Sequence, residues 1–184
     1  MLKFLIIFFM LNFYYPVYSA LKEGIISKMK ITNNLSFNFI QTIDNKNENG
    51  KCIIKYPKKI WCKYDNSIKK IIVSNGKSLV IKTANKGSYY RYPLNKTPLI
   101  FLLDKEYLML KINFLEPREI DNKYLNFTFV ENNNEIKVFF DIKSLNLIGW
   151  QTEDIYQNLV ITFISSVKIN QKINNKIFVL PKNN

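Results

Sequence analysis

Cys52 and Cys62 are the only cysteines, and the 184 residues contain no histidine. Without imidazole the chain lacks the commonest general base and the commonest zinc ligand, which excludes most hydrolase triads. Two thiols cannot complete a four-ligand metal centre, and the 5 glycines form neither a phosphate-cradling loop nor a dinucleotide fingerprint. Asp141, Glu153 and Asp154 carry carboxylates that an acid/base mechanism could use, but such residues are mostly solvated surface. The sequence therefore predicts a protein that is not an enzyme and has no metal and no cofactor.

The cysteines have another use in an oxidising compartment, and the N-terminus points to one. Lys3 supplies a positive end, Phe4 to Phe13 a continuous apolar run, and Val17-Tyr18-Ser19 the approach to a cleavage point before Ala20. Residues 1–19 read as a secretory signal peptide. The competing reading, a membrane anchor, meets a run too short to span a bilayer and broken by Asn12 and Pro16. In an exported protein a lone cysteine pair is more often a disulfide than a metal or catalytic site. If the loop between their strands is Tyr56 to Lys58, Cys52 and Cys62 sit opposite each other. A two-residue loop leaves them diagonal, as two apolar thiols packed inside.

The strands that position them lie in Gly50–Ile81, where segments of alternating apolar and polar residues follow one another, separated by Tyr56-Pro57-Lys58-Lys59 and Asn75-Gly76. Period two puts Cys52, Ile54 and Tyr56 on one face and Ile60, Cys62 and Tyr64 on one face of the next strand. Lys51, Lys55, Lys59 and Lys63 line the opposite faces, with Trp61 among them as a half-buried ring against lysine stems.

Around this meander, Leu21, Ile25, Ile26 and Met29 recur at helical spacing, so Ala20 to about Ile31 reads as an amphipathic helix. Leu35–Gln41 alternates as a strand with Phe37, Phe39 and Gln41 on one face, and Asp44–Asn49 reads as a polar loop. Ser88–Tyr92 is a short aromatic strand. Thr97 as cap with Pro98 at the first helical position opens a short apolar helix at Leu99-Ile100-Phe101-Leu102-Leu103, continued after Asp104-Lys105-Glu106 by Tyr107–Leu110. That helix is either a plug for the end of a sheet or a cover over a cavity. Leu125, Phe127 and Phe129 alternate in one strand and Ile136, Val138, Phe140 and Ile142 in its partner. Leu145–Gln151, Leu159–Ile164 and Lys176–Leu180 bring the total to about ten strands, which suits a strongly curved sheet or barrel.

Lys+Arg 27 against Asp+Glu 14 gives a net charge of +13, spread along the chain rather than gathered in a basic arm. Compositional bias toward Lys, Ile and Asn explains such a charge, as does attraction to anionic lipid or an acidic partner. Aromatic, basic strands could also stack single-stranded nucleic acid, a partner that an exported protein does not meet.

In order along the chain, Phe39-Ile40-Gln41, Gly50–Pro57 with Trp61 and Tyr64, Ile72–Leu79, Tyr92-Pro93-Leu94, Thr97-Pro98 and Phe178–Pro181 resemble the periplasmic outer-membrane lipoprotein carrier family, LolA. The resemblance covers residues 20–184 and implies a mainly β fold. That fold is an incomplete antiparallel β-barrel of about ten to eleven strands with an N-terminal helix and a short helical lid. It implies a monomeric periplasmic chaperone that takes triacylated lipoproteins from an inner-membrane lipoprotein-releasing ABC transporter to an outer-membrane receptor, without nucleic acid or cofactor. Phe37, Phe39, Ile54, Ile60, Phe127, Phe129 and Phe140 are then expected to line the acyl-chain cavity and Leu99, Ile100, Phe101, Leu102 and Leu103 to form the lid. Members of the family usually carry an arginine before the hairpin proline that bonds lid backbone; Tyr56 stands there, with one donor in place of five. Two other readings stay open: a periplasmic sensor or carrier of another lipid on the same fold, and an exported structural protein.

Overall fold

The computed structural model describes residues 16–84, 87–154 and 156–183, so most of the expected signal peptide, residues 1–19, lies outside the described residues. Among the described residues no helix is long and apolar enough to cross a membrane.

Helix α1 (Pro16–Ile31) is followed by a meander of β1 (Asn34–Ile43), β2 (Lys46–Lys55), β3 (Lys59–Tyr64), β4 (Ile71–Asn75), β5 (Ser78–Lys82) and β6 (Tyr89–Pro93). Helices α2 (Leu99–Leu103) and α3 (Lys105–Phe114) then cross the molecule to a second meander of β7 (Arg118–Ile120), β8 (Tyr124–Glu131), β9 (Asn134–Asp141), β10 (Leu147–Glu153) and β11 (Leu159–Ile169). β11 pairs antiparallel with β1, which joins the two meanders into one 11-stranded sheet of order β6-β5-β4-β3-β2-β1-β11-β10-β9-β8-β7. The sheet is mainly antiparallel hairpins and open: β6 and β7 are its free edges, an incomplete barrel.

Local chemistry sets the hairpins. Asp44 (φ 48°) and Asn45 (φ 60°) form a two-residue turn, as do Asn132 (φ 51°) and Asn133 (φ 62°), and Asn and Asp tolerate the positive φ that such turns require. The expected polar loop Asp44–Asn49 is therefore a tight turn, and β2 begins already at Lys46. Register shifts between Ser36 and Asn38 and between Leu147 and Gly149 bend the sheet. At Gly50 a Cβ would meet the Lys63 carbonyl oxygen at 2.2 Å, so glycine lets β3 approach closely.

Three elements differ from expectation. Lys176–Leu180 is not a strand: Asn175–Phe178 is a 3-10 turn whose Asn174 side chain accepts from the Lys176 N–H. The charged β7 carries no apolar alternation and escapes pattern reading. Finally α2 and α3 are two helices, bent at Asp104 (φ −92°, ψ 91°), and α3 runs on to Phe114.

The inner face of the sheet holds the core. Phe37, Ile54, Leu125, Phe127, Ile136, Val138 and Phe140 are buried against Ile25 of α1, Leu102 and Leu103 of α2 and Leu108 and Ile112 of α3. Edge-on ring contacts link Phe127 to Phe140 at 5.9 Å and Phe37 to Trp150 at 6.1 Å. Removing this much apolar surface from water is what holds three short helices to the sheet.

Candidate functional site

The helices cover the inner face of β8 and β9 together with Phe37 of β1 and Ile54 of β2, and leave a hollow that runs from β5 across β3 and β1 to β11 and β10. There the structure holds a cavity of about 390 Å³, walled by Phe39, Ile43, Ile60, Ile72, Leu79, Ile81, Trp150 and Val160. Thr97, Pro98 and Leu99, at the start of α2, close one side, and Tyr90, Tyr92 and Tyr156 stand at another. Tyr156 lies in the β10–β11 connection and Tyr92 on the β6 edge; burial, with the Tyr156 phenol nearby, raises the Tyr92 phenol above its ordinary value.

Register explains the wall. β2 and β3 pair Cys52 with Cys62 and Lys55 with Lys59, which makes Tyr56-Pro57-Lys58 a three-residue loop and places the cysteines directly opposite. A disulfide joins them, and both face the cavity. On β4 and β5 the same face carries Ile72, Leu79 and Ile81.

One polar chain crosses the apolar floor. The Tyr64 hydroxyl donates to Gln41 Oε1 at 2.9 Å, and Gln41 Nε2 donates to Thr162 Oγ1 at 3.1 Å. Burial pushes the Tyr64 phenol well above its ordinary value, and the charge of Glu48 adds to this. Lys70 sits 3.9 Å above the Tyr64 ring and pairs with Glu48.

The residues expected to line an acyl cavity divide. Phe39 and Ile60 line the hollow; Phe37, Ile54, Phe127, Phe129 and Phe140 are packed beneath the helices instead. Alternation reports which face is inner but not whether a helix fills it, so both sets carry the same sequence signal. Tyr90, Tyr92, Trp150 and Tyr156 also line the hollow and were absent from the expected set.

The expected lid residues form α2, whose side chains all contact the core: Leu102 and Leu103 are buried, Leu99, Ile100 and Phe101 half-buried. Thr97 does not cap this helix; its hydroxyl donates to the Leu94 carbonyl at 2.8 Å. The helix is held at its other end. The Lys58 N–H donates to the Leu103 carbonyl at 2.9 Å, satisfying a carbonyl that the helix terminus leaves open. The Lys58 ammonium pairs with Asp104 at 2.9 Å, and Asp104 in turn accepts from the Tyr107 N–H as the cap of α3. Lys105 donates to the carbonyls of Lys30 and Thr32 at 3.1 Å each, which ties α3 to the C-terminal end of α1. Tyr56 takes no part in this clasp through its side chain. Its ring is half-buried beside Lys105, 5.8 Å from the ammonium, and its N–H donates to the Asn33 carbonyl. The contact to α2 that the resemblance places at position 56 is made by position 58.

The carboxylates named from sequence do not form a pair. Asp141 ends β9 beside the start of β10, where its Oδ1 accepts from the Ser144 N–H at 2.6 Å. Glu153 and Asp154 stand at the other end, ~20 Å away for a seven-residue strand. Asp154 caps its own loop by accepting from the Tyr156 and Asn158 N–H groups. Among the described residues no group of His, Cys, Asp or Glu could hold a metal ion.

The sequence model of the outer membrane lipoprotein carrier protein LolA matches residues 30–181. The chain belongs to the LolA family.

Among solved structures, the chain is similar to a LolA superfamily protein from Nitrosomonas europaea, with 10% identity, 86% of this chain and 97% of that chain covered, and a TM-score of 0.46. It is also similar to an outer membrane lipoprotein-sorting protein domain from Vibrio parahaemolyticus, with 8% identity, 85% and 95% covered, and a TM-score of 0.49. None of the curated proteins matches the chain. Membership of the LolA family rests on the sequence match.

Proposed function

We propose that this chain is a non-enzymatic periplasmic carrier that takes the acyl chains of lipoproteins into the cavity beside α2 and moves them from the inner to the outer membrane. The apolar hollow, walled by residues of both meanders and bordered by a separately clasped helix, is the observation that carries this reading. A buried acyl chain gains roughly 0.8 kcal/mol per CH₂, so an apolar wall keeps cargo out of water. The closed volume of about 390 Å³ is near the lower end of small-ligand pockets, ~300–1,000 Å³, and a cargo with several chains needs more room. The α2 lid supplies it by moving on the Asp104 bend, and the Lys58 clasp sets how readily it does so.

The test is release of a triacylated lipoprotein from inner-membrane vesicles that contain the ATP-driven transporter. The proposal expects a soluble one-to-one complex with this protein, passed on to membranes bearing the outer-membrane receptor. Lipoprotein that stays in the vesicles while the protein still takes up a fluorescent fatty acid would favour a carrier of another lipid, and failure of both would overturn the cavity reading.

A further inference from the structure

Charge that looks evenly spread along the chain is divided by the fold. Residues 50–103 and 155–184 contain 16 of the 27 cations and one of the 14 carboxylates; the remainder contains 11 cations and 13 carboxylates. The first set builds most of β2, β3 to β6, α2, β11 and the C-terminal segment; with β1, which has no charged residue and lies between β2 and β11, these strands form one half of the sheet. The other half is close to neutral.

Within the basic half the outer face is the most concentrated. Lys51 stands directly opposite Lys63, and Lys55 opposite Lys59, with Ile53 and Trp61 paired between them. Like charges at directly opposed positions repel, a cost that folding alone gives no reason to bear twice. Along the same face Lys168 pairs with Ser36, and Arg91 with Val80. The C-terminal segment adds to this. Its 3-10 turn packs on β3 and β4, with Phe178 buried as are outward-facing Val73 and Val80, and carries exposed Lys176, with exposed Lys172 just before it. Among the described residues none of these cations forms a salt bridge. Asp65, hydrogen-bonded by Asn49, is the one carboxylate at the border.

We infer that the outer face of β2 to β5, with the C-terminal segment strapped across it, docks on the anionic headgroup surface of a bilayer. Charge complementarity names the sign of the partner. The spread of cations over several strands fits a continuous charged surface. Half-buried Trp61 among lysine stems and exposed Val179 beside Phe178 supply the amphipathic contacts that an interface favours. The proposal does not depend on what the cavity carries.

The test is co-sedimentation of the full mature protein with phosphatidylcholine vesicles, pure or containing about one third phosphatidylglycerol. Binding to the anionic vesicles alone, released by high salt, is expected. Lys51→Glu with Lys63→Glu, and separately Lys172→Glu with Lys176→Glu, should each weaken it by about tenfold or more. Lys123→Glu with Lys143→Glu makes the same change in net charge on the other half and should leave binding near the parent value. Fluorescent fatty-acid uptake is measured on every variant, so that loss of docking is separated from loss of the cavity or of the fold. Equal binding to both vesicles, salt-insensitive binding, or equal loss in the control pair would overturn the proposal. Retention on immobilised polyglutamate without vesicle binding would overturn it in favour of an acidic protein partner.

Discussion

Lys58 makes the backbone contact that the resemblance places at position 56 and adds an ion pair: its N–H holds the Leu103 carbonyl and its ammonium holds Asp104. The side chains are 39% and 27% exposed, so solvent screens the pair, and a double-mutant cycle of Lys58→Ala with Asp104→Asn should give a coupling of only about 0.5 kcal/mol. Its effect should be local: amide exchange across residues 97–104 should quicken while the sheet amides stay protected. Unchanged exchange there would remove the ion pair from the clasp. Tyr64 offers a second residue-scale prediction. Its phenol is raised above the ordinary value of 10.0, so the folded state holds the proton more tightly than the unfolded state. The resulting contribution is whole below pH 10 and is lost as pH rises through the folded value. Thermal unfolding should therefore fall steeply above pH 10. Tyr64→Phe should flatten that fall; an unaltered slope would assign it to other phenols, of which Tyr56 is similarly raised by burial.

At the scale of elements, α2 is asymmetric, with one end in the core and the other at the hollow. Leu103 is fully buried among core residues, whereas half-buried Leu99 borders the cavity. Leu103→Asp should lower stability by about 3–5 kcal/mol, the cost of a buried unpaired charge. Leu99→Asp should leave denaturant unfolding nearly unchanged and weaken fatty-acid uptake instead. Equal destabilisation by both would make α2 a plug throughout. The β2–β3 hairpin carries the disulfide, which closes a loop of sequence separation 10, and replacing both cysteines by serine should cost about 3 kcal/mol in the chain-entropy view. A denaturant midpoint equal to the parent's would show that the hairpin is held by packing alone. Strands were largely legible because alternation is short-range: Phe37 and Phe39, and Phe127 and Phe129, report their faces without any knowledge of partners. β7 and the C-terminal 3-10 turn were not legible, since Arg118-Glu119-Ile120 has too few apolar positions to alternate and Asn175–Phe178 depends on the sheet it packs against. The Asp104 bend was visible only as three charged residues between apolar runs.

On the scale of the whole molecule, the open sheet has one inner face with two fates. Helices fill it over β8, β9, Phe37 of β1 and Ile54 of β2, and the rest, from β3 to β6 and across to β11 and β10, stays hollow beside the five-residue α2. This is why five of seven expected cavity residues are packed core: face is a property of a strand, but filling is a property of the assembly. The division of charge has the same origin, since cations distant in sequence meet only when β11 pairs with β1. The central claim, that the hollow beside α2 carries lipoprotein acyl chains, is met most directly by native mass spectrometry of the protein purified without detergent from its own periplasm. The account predicts a population heavier by the mass of a triacylated lipoprotein, shed when Leu99→Asp is introduced. A protein that is uniformly unliganded, under conditions where its fold and its disulfide are intact, would contradict it.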